Sequence, residues 1–167
     1  MELVTKRLRI RDFRAEDAHA AFLYLSDPMV MRYLEPPFSL PQTQAFIQSC
    51  GVERSLVFAL EDRAQKALLG HVIFHPDEAE DWEIGWVLGR QAWGRGYGRE
   101  SGGAMLGHAF GALDAPGVVA ETLPEHRACQ RLLRSLGLAA TGYRDGLAIF
   151  RLGKEAWNPC MQACKDC

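Results

Sequence analysis

At 167 residues and 18.6 kDa the chain is the size of one domain, since domains commonly run to roughly 100–200 residues. Hydrophobic residues make up 48% and charged residues 24%, which excludes collagen-like, coiled-coil and disordered chains. Nineteen Lys and Arg against 21 Asp and Glu give a formal charge of -2, so there is no basic excess to hold a phosphate backbone and nucleic acid is not an expected ligand. No apolar stretch approaches the roughly 18 residues of a membrane span, and MELVTKRLRI lacks a secretory apolar segment. A cytoplasmic protein without membrane contact is expected.

In chain order, Leu8 and Ile10 alternate with Arg9 and Arg11, a half-buried strand pattern. Ala18, Ala21, Phe22 and Leu25 then share one helical face, and the Pro-rich segment 28–37 breaks that helix. Ser39 and Gln42 form a capping box that opens a second helix, expected to stop near Gly51. Three β-rich runs at 56–60, 68–74 and 82–88 read as a meander. Met105, Leu106, Ala109, Phe110 and Leu113 mark a third helix, preceded by a Gly-rich turn. A strand at 118–123 follows, then a helix at 128–136. That helix ends at Gly137, with Leu138 placed for a Schellman contact. Runs near 138–143 and 147–152 pair last. The order β-α-α-β-β-β-α-β-α-β-β predicts an α/β mixed sheet of about seven strands with about four helices.

Cys50 and Cys129 stand apart, while Cys160, Cys164 and Cys167 crowd the last eight residues. This is not the spacing of a disulfide-stapled domain, and three thiols without a nearby histidine do not complete a tetrahedral zinc site. No metal is expected. Residues 1–153 read as the domain and 154–167 as a Cys-rich tail.

The segment carrying the chemistry is Trp86-Val87-Leu88-Gly89-Arg90-Gln91-Ala92-Trp93-Gly94-Arg95-Gly96-Tyr97-Gly98-Arg99-Glu100, a strand entering a glycine-rich turn and then a helix. Such a turn offers free backbone N–H groups at the positive end of a helix dipole, and a glycine lets phosphate approach the backbone. Arg95 and Arg99 add charge. A Walker A loop would need Gly-Lys-Ser/Thr. A GxGxxG fingerprint would place its third glycine at Arg99 or Ser101. Neither fits, whereas Q/R-x-x-G-x-G/A is matched at Gln91-x-x-Gly94-x-Gly96 and, with an aromatic first, at Trp93-x-x-Gly96-x-Gly98.

That loop resembles the GCN5-related N-acetyltransferases (GNAT). Further matches are Thr5 to Arg11 followed by Glu16-Asp17-Ala18, Asp27-Pro28-x-Val30-x-Arg32-Tyr33-Leu34, Glu83-Ile84-Gly85-Trp86, and Leu133-Arg134-Ser135-Leu136-Gly137-Leu138. Over residues 2–152 these are similar to the RimJ/RimL-type branch, which acetylates ribosomal-protein N-termini. The resemblance implies a mixed, mostly antiparallel sheet splayed into a V, with acetyl-CoA between the strands at 82–88 and 118–123. It implies that the Val87 and Leu88 backbone pairs with the pantetheine arm, that the amides of Arg95, Gly96, Tyr97, Gly98 and Arg99 hold the pyrophosphate, and that Trp86, Trp93 and Gly94 also contact the cofactor. Tyr33 and Phe38 would line the acceptor side.

Direct attack of an amine on a thioester requires a proton acceptor, an oxyanion donor and an acid for the leaving thiolate. Glu83 is the candidate base and a contact to the amine, with Asp81 and Glu80 as runners-up; a backbone N–H of residues 83–87 is the candidate oxyanion donor. Where the family commonly carries Asn-x-x-Ser, this chain has His126-Arg127-Ala128-Cys129. His126 is read as a CoA contact, an acid or an ordinary helix-start residue. Cys129, in the first turn of its helix, is expected to have its thiol shifted toward thiolate; it is read as acid, nucleophile or packing residue. The acceptor is a protein N-terminus or a small amine such as an antibiotic, the alternative is a noncatalytic acyl-CoA-binding module, and the chain is expected as monomer or homodimer.

Overall fold

The computed structural model describes residues 1–77 and 79–158; Cys160, Cys164 and Cys167 lie outside them. Eight strands form one sheet in the order β1-β2-β3-β4-β5-β6-β8-β7. The strands are β1 (Glu2–Val4), β2 (Leu8–Asp12), β3 (Val57–Asp62), β4 (Leu68–Pro76), β5 (Trp82–Leu88), β6 (Gly117–Thr122), β7 (Ala139–Arg144) and β8 (Leu147–Gly153). The helices are α1 (Ala18–Leu25), α2 (Pro28–Met31), α3 (Leu40–Phe46), α4 (Tyr97–Gly111) and α5 (Arg127–Ser135). Pairing of β5 with β6 is parallel, at Trp82↔Val118 and Glu83↔Val119. The pairs β1–β2, β2–β3, β3–β4, β6–β8 and β7–β8 are antiparallel. Among the described residues no helix is long and apolar enough to cross a membrane.

The predicted mixed sheet stands, with two additions. β1 completes an edge beside β2, and α2 forms inside the Pro-rich stretch because Asp27 caps it, its Oδ1 accepting from Met29 N at 2.9 Å, with Pro28 at the first helical position. The capping box is present: Ser39 Oγ accepts from Gln42 N and Gln42 Oε1 from Ser39 N. α3 does not stop cleanly but runs into a π-helical stretch, Ile47–Glu53, where Gly51 lies flat on Phe13; a Cβ at Gly51 would come within 2.8 Å of Phe13 Cβ. The helix at 97–111 ends before Leu113, which is exposed.

The chain divides into two compact units, residues 1–75 with 86–101, and 76–85 with the described residues from Gly102 onward. In the first, Phe13, Ala21, Tyr24, Leu25, Met31, Ile47, Val57 and Val87 form the main core. A second cluster joins Leu8, Leu69, Ala92 and Tyr97, with Leu88 against it. Gly70 lets β4 approach β5, since a Cβ there would stand 2.9 Å from Leu88 Cα. Arg11 is buried and forks onto Asp17 at 2.7 and 2.9 Å while its Nε meets Glu61 at 2.8 Å. Burial alone would raise the Asp17 carboxyl, but the Arg11 guanidinium and the Arg14 N–H hold it below its ordinary range.

In the second unit β6 and β8 pair along their length, from Gly117↔Gly153 to Thr122↔Ala148. α5 closes as the sequence implies: Gly137 takes φ +95 and Leu138 N donates to Leu133 O at 3.0 Å, the long Schellman bond. All six residues of β7 are exposed at the end of the sheet, and its register on β8 shifts between Ala140 and Gly142. After β8, Lys154–Ala156 make one 3-10 turn and the Trp157 ring stacks on Phe110 of α4 at 5.2 Å.

Fully buried His71 is hydrogen bonded through Nδ1 to the Tyr24 hydroxyl at 2.8 Å and ringed by Phe13 and Phe46. Burial pushes its imidazole from 6.5 down to about 3. The unfolded chain therefore binds a proton below pH about 6.5 that the folded chain refuses, so this contribution to stability is complete above that pH and is lost as pH falls toward about 3. The urea midpoint is expected to fall between pH 7 and about 5, and to fall less in the double variant Tyr24→Phe, His71→Leu, which removes both polar partners together. An unchanged slope in that variant would exclude His71 as the source.

Candidate active site

Five residues of tight turn separate β5 from the glycine loop. Gly89 N donates to Leu69 O at 2.9 Å, Ala92 N to Gly89 O at 2.9 Å, and buried Ala92 seats the turn. Beyond it, Gly94 and Gly96 adopt φ +69 and +78, a conformation that L side chains rarely take. No heavy atom stands within 4 Å of a Cβ built on Gly94, and Arg7 Nη2 alone comes within 3.5 Å of one on Gly96. The glycines are therefore required by backbone conformation, and the space before them is open. Gly94, Arg95 and Gly96 are exposed. α4 follows at once; Glu100 N is bonded to Gly96 O at 3.0 Å, so the amides of Tyr97, Gly98 and Arg99 occupy the first turn, where no helical acceptor exists. Arg99 is half-buried, and no carboxylate among the described residues pairs with it. An open cradle of amides at a helix start, beside two guanidinium groups, fits a diphosphate.

The loop is held from behind by residues whose role the sequence did not disclose. Arg7 Nε meets Glu100 Oε2 at 2.6 Å, its Nη1 donates to Arg95 O at 2.8 Å, and its guanidinium lies 4.4 Å from the centre of the Tyr97 ring. Glu100 Oε1 also accepts from Arg7 N at 2.8 Å and Thr5 Oγ1 at 2.6 Å. Burial would raise the Glu100 carboxyl, but these donors keep it lowered. The Tyr97 hydroxyl donates to Asp62 Oδ2 at 3.0 Å; burial and that bond raise the phenol. Arg7 and Glu100 are separated by 93 positions, and no periodicity links residues so far apart.

The remaining residues of this unit vary in setting. Trp86 Nε1 donates to Ser101 Oγ at 3.0 Å. Val87 is buried in the main core and Leu88 packs on the smaller cluster. Exposed Trp93 donates its indole N–H to Leu88 O at 2.8 Å, so the carbonyl at the end of β5 already has one partner. Tyr33 is half-buried beneath the Arg32 guanidinium at 5.1 Å. Phe38 packs edge-on against Phe46 at 5.8 Å, and its N–H donates to Leu25 O. Asp27 Oδ2, the oxygen not used in capping α2, accepts from Arg90 Nε at 2.6 Å.

In the second unit Glu83 is half-buried on β5 in register with Val119 of β6. Asp81 is occupied: it is buried and takes a two-pronged bond from Arg151 at 2.5 and 2.9 Å, across Gly117 where a side chain would collide with both groups. Glu80 is an exposed turn residue at φ +68. His126 precedes α5 at its N-cap position without capping it, and burial lowers its imidazole, leaving it neutral at pH 7. Cys129 corrects the thiolate expectation. Burial pushes its thiol up, outweighing a hydrogen bond with Thr122 that acts in the opposite direction, so the sulfur carries its proton at neutral pH. Among the described residues no group of three or more His, Cys, Asp or Glu is placed to hold a metal ion.

A mixed sheet with this strand order and a left-handed glycine loop before α4 defines the acetyltransferase fold class. Residues 7–139 match the acetyltransferase (GNAT) domain family. The chain belongs to that family and is an acetyltransferase; members use acetyl-CoA and act on amines. It is similar to the uncharacterized N-acetyltransferase YnaD of Bacillus subtilis (strain 168), with 30% identity over 160 residues, 95% of this chain and 93% of that one. In fold it is similar to a GNAT-family acetyltransferase from Bacillus anthracis, with TM-score 0.86, 24% identity, and coverage of 93% of this chain and 99% of that one. It is also similar to spermidine N-acetyltransferase from Vibrio cholerae in complex with CoA and spermine, with TM-score 0.76, 17% identity, and coverage of 91% and 98%.

Acetyl-CoA is expected to raise the melting temperature of the wild type and to fail to do so for Gly96→Val, because a β-branched residue is strained at φ +78 and its side chain would press on Arg7 Nη2, 3.5 Å from the added Cβ, distorting the loop. Gly107→Ala, within α4 where nothing stands near the added methyl, should instead stabilise by about 0.5–1 kcal/mol and keep the shift. Equal ligand protection in Gly96→Val would remove the loop from the site.

Proposed function

We propose that this acetyltransferase moves an acetyl group from acetyl-CoA directly to a primary amine, and that the acceptor is the N-terminal amine of a protein, as in the RimJ/RimL-type branch. The observation carrying the donor assignment is the open cradle at Gly94 and Gly96, with their positive φ, ahead of the unsatisfied first turn of α4. When bound there, acetyl-CoA supplies the thioester carbonyl that an amine attacks. Amides of residues 95–99, with the Arg95 and Arg99 guanidinium groups, hold the diphosphate; the backbone of Val87 and Leu88 pairs with the pantetheine arm, and Trp86 lies beside it. Tyr33 and Phe38 contact the acceptor. The opening segment Thr5-Lys6-Arg7-Leu8-Arg9-Ile10-Arg11 and Asp27-Pro28 with Arg32-Tyr33-Leu34 support the branch.

Glu83 accepts the amine proton, directly or through water. An α-amine, with an unperturbed pKa of about 7.7–8.0, needs far less of a base than a lysine at about 10.4, which favours an N-terminal acceptor for a single half-buried carboxylate. Cys129 returns a proton to the leaving thiolate. Its thiol, kept protonated by burial, suits a donor and not a primed nucleophile. Neutral His126 contacts CoA or supports that proton transfer.

Glu83→Gln should lower kcat near pH 7 by about 10²-fold or more while leaving the KM for acetyl-CoA close to wild type, because only proton acceptance is removed; wild-type turnover from pH 6 to 9 would make it a surface carboxylate. Cys129→Ser should keep much of the activity and Cys129→Ala lose about 10²-fold. Acetylation of wild-type Cys129 by acetyl-CoA alone, seen by mass spectrometry and followed by transfer to amine, would replace the donor role with a covalent one. Thiol release measured across peptides with free N-termini, polyamines and aminoglycosides tests the acceptor. Highest kcat/KM on a polyamine or aminoglycoside would reject the N-terminal assignment while retaining acetyl transfer.

A further inference from the structure

We infer that Arg7 is a positioning residue for diphosphate recognition: it acts through the loop, from behind, and its own charge is spent on Glu100. The inference rests on the donor assignment above and concerns a residue 87 positions before the first glycine of the loop. Three directions of one guanidinium are used at once. Nε binds Glu100 Oε2 at 2.6 Å, Nη1 binds Arg95 O at 2.8 Å, and the face lies over Tyr97 at 4.4 Å. Lysine has one nitrogen and no flat face, so it cannot reproduce this set.

Each contact fixes a different degree of freedom of the loop. The bond to Arg95 O turns that carbonyl back toward the protein. A peptide unit is planar, so the Gly96 N–H on the other side of it points away from Arg7, toward the open face. Stacking on Tyr97, whose hydroxyl is fixed by Asp62 at 3.0 Å, sets where α4 begins. Glu100 ties Arg7 to the first turn of α4, and Arg63 pins the same short segment from the other side: Arg63 N donates to Arg7 O at 2.9 Å and Arg63 Nη1 to Thr5 O at 2.6 Å. The loop is thus ordered before ligand arrives, and ordering it does not have to be supplied by binding.

The alternative role, a direct phosphate ligand, predicts the opposite sign for one substitution. Glu100→Gln removes the carboxylate that neutralises Arg7. A ligand so released would bind the diphosphate more tightly, whereas a positioning residue so released lets the loop loosen. The two roles are separated by comparing kcat/KM for acetyl-CoA with kcat/KM for S-acetylpantetheine, which carries the same thioester without the nucleotide. Both donors are measured on one sample, so any loss of folded protein cancels in the ratio.

For Arg7→Lys and for Glu100→Gln the preference for acetyl-CoA over S-acetylpantetheine is expected to fall about tenfold, chiefly through KM for acetyl-CoA. An unchanged preference in Arg7→Lys would overturn the inference and leave Arg7 with a role in folding only. A preference raised in Glu100→Gln would overturn it in favour of direct ligation. A wild type that uses both donors equally would overturn the diphosphate site itself, a result distinct from the other two because it appears before any substitution.

Discussion

One ion pair fixes the glycine loop on which the proposed site rests. Arg7 and Glu100 join the turn between β1 and β2 to the first turn of α4, and at 2.6 Å between half-buried groups the pair is a charge-assisted bond with fixed geometry. Everything that the glycine loop needs converges there: the tilt of the Arg95 peptide, the seat of the Tyr97 ring and the start of a 15-residue helix. Left-handed glycines alone would give a loop with many conformations, since glycine is the residue with most backbone freedom to lose. Fixing its two ends turns that freedom into a single cradle.

Buried charge recurs in the same unit but serves a different purpose. Arg11, Asp17 and Glu61 form a closed triad that ties β2, β3 and the turn before α1. Removing one member would strand a buried charge, which costs far more than the complete set contributes. His71 is the neutral counterpart, a titratable ring kept uncharged by aromatic neighbours. In the second unit Asp81 and Arg151 close over Gly117, which occupies a carboxylate that the sequence alone presents as available for catalysis.

What could be read from the sequence was what short-range chemistry writes into it. The Ser39–Gln42 capping box and the Gly137–Leu138 helix end formed as their spacing demands, because their partners lie within a few residues. The glycine loop was legible for the same reason: φ requirements are local. β1 was missed because three residues are too few to show alternation, and α2 because prolines mark both helix breaks and helix starts. Arg7 escaped notice since its partners stand 88 and 93 positions away. The direction of the Cys129 shift was misjudged because the helix start was visible in the sequence while the burial opposing it was not. Features set by short-range backbone chemistry were legible; contacts between distant partners were not.

The bare edge strand β7 carries a consequence for the protein's colloidal behaviour. A straight, uncovered strand at the end of a sheet exposes a row of unpaired amides and carbonyls, and a second chain can add to it and propose itself as the next edge in turn. β7 is not straight. Its register on β8 slips between Ala140 and Gly142, which bends the edge, and Arg144 closes the strand with a charge tied to Glu121. The slip interrupts the even ladder that an incoming strand would have to match, which disfavours edge-to-edge addition to β7.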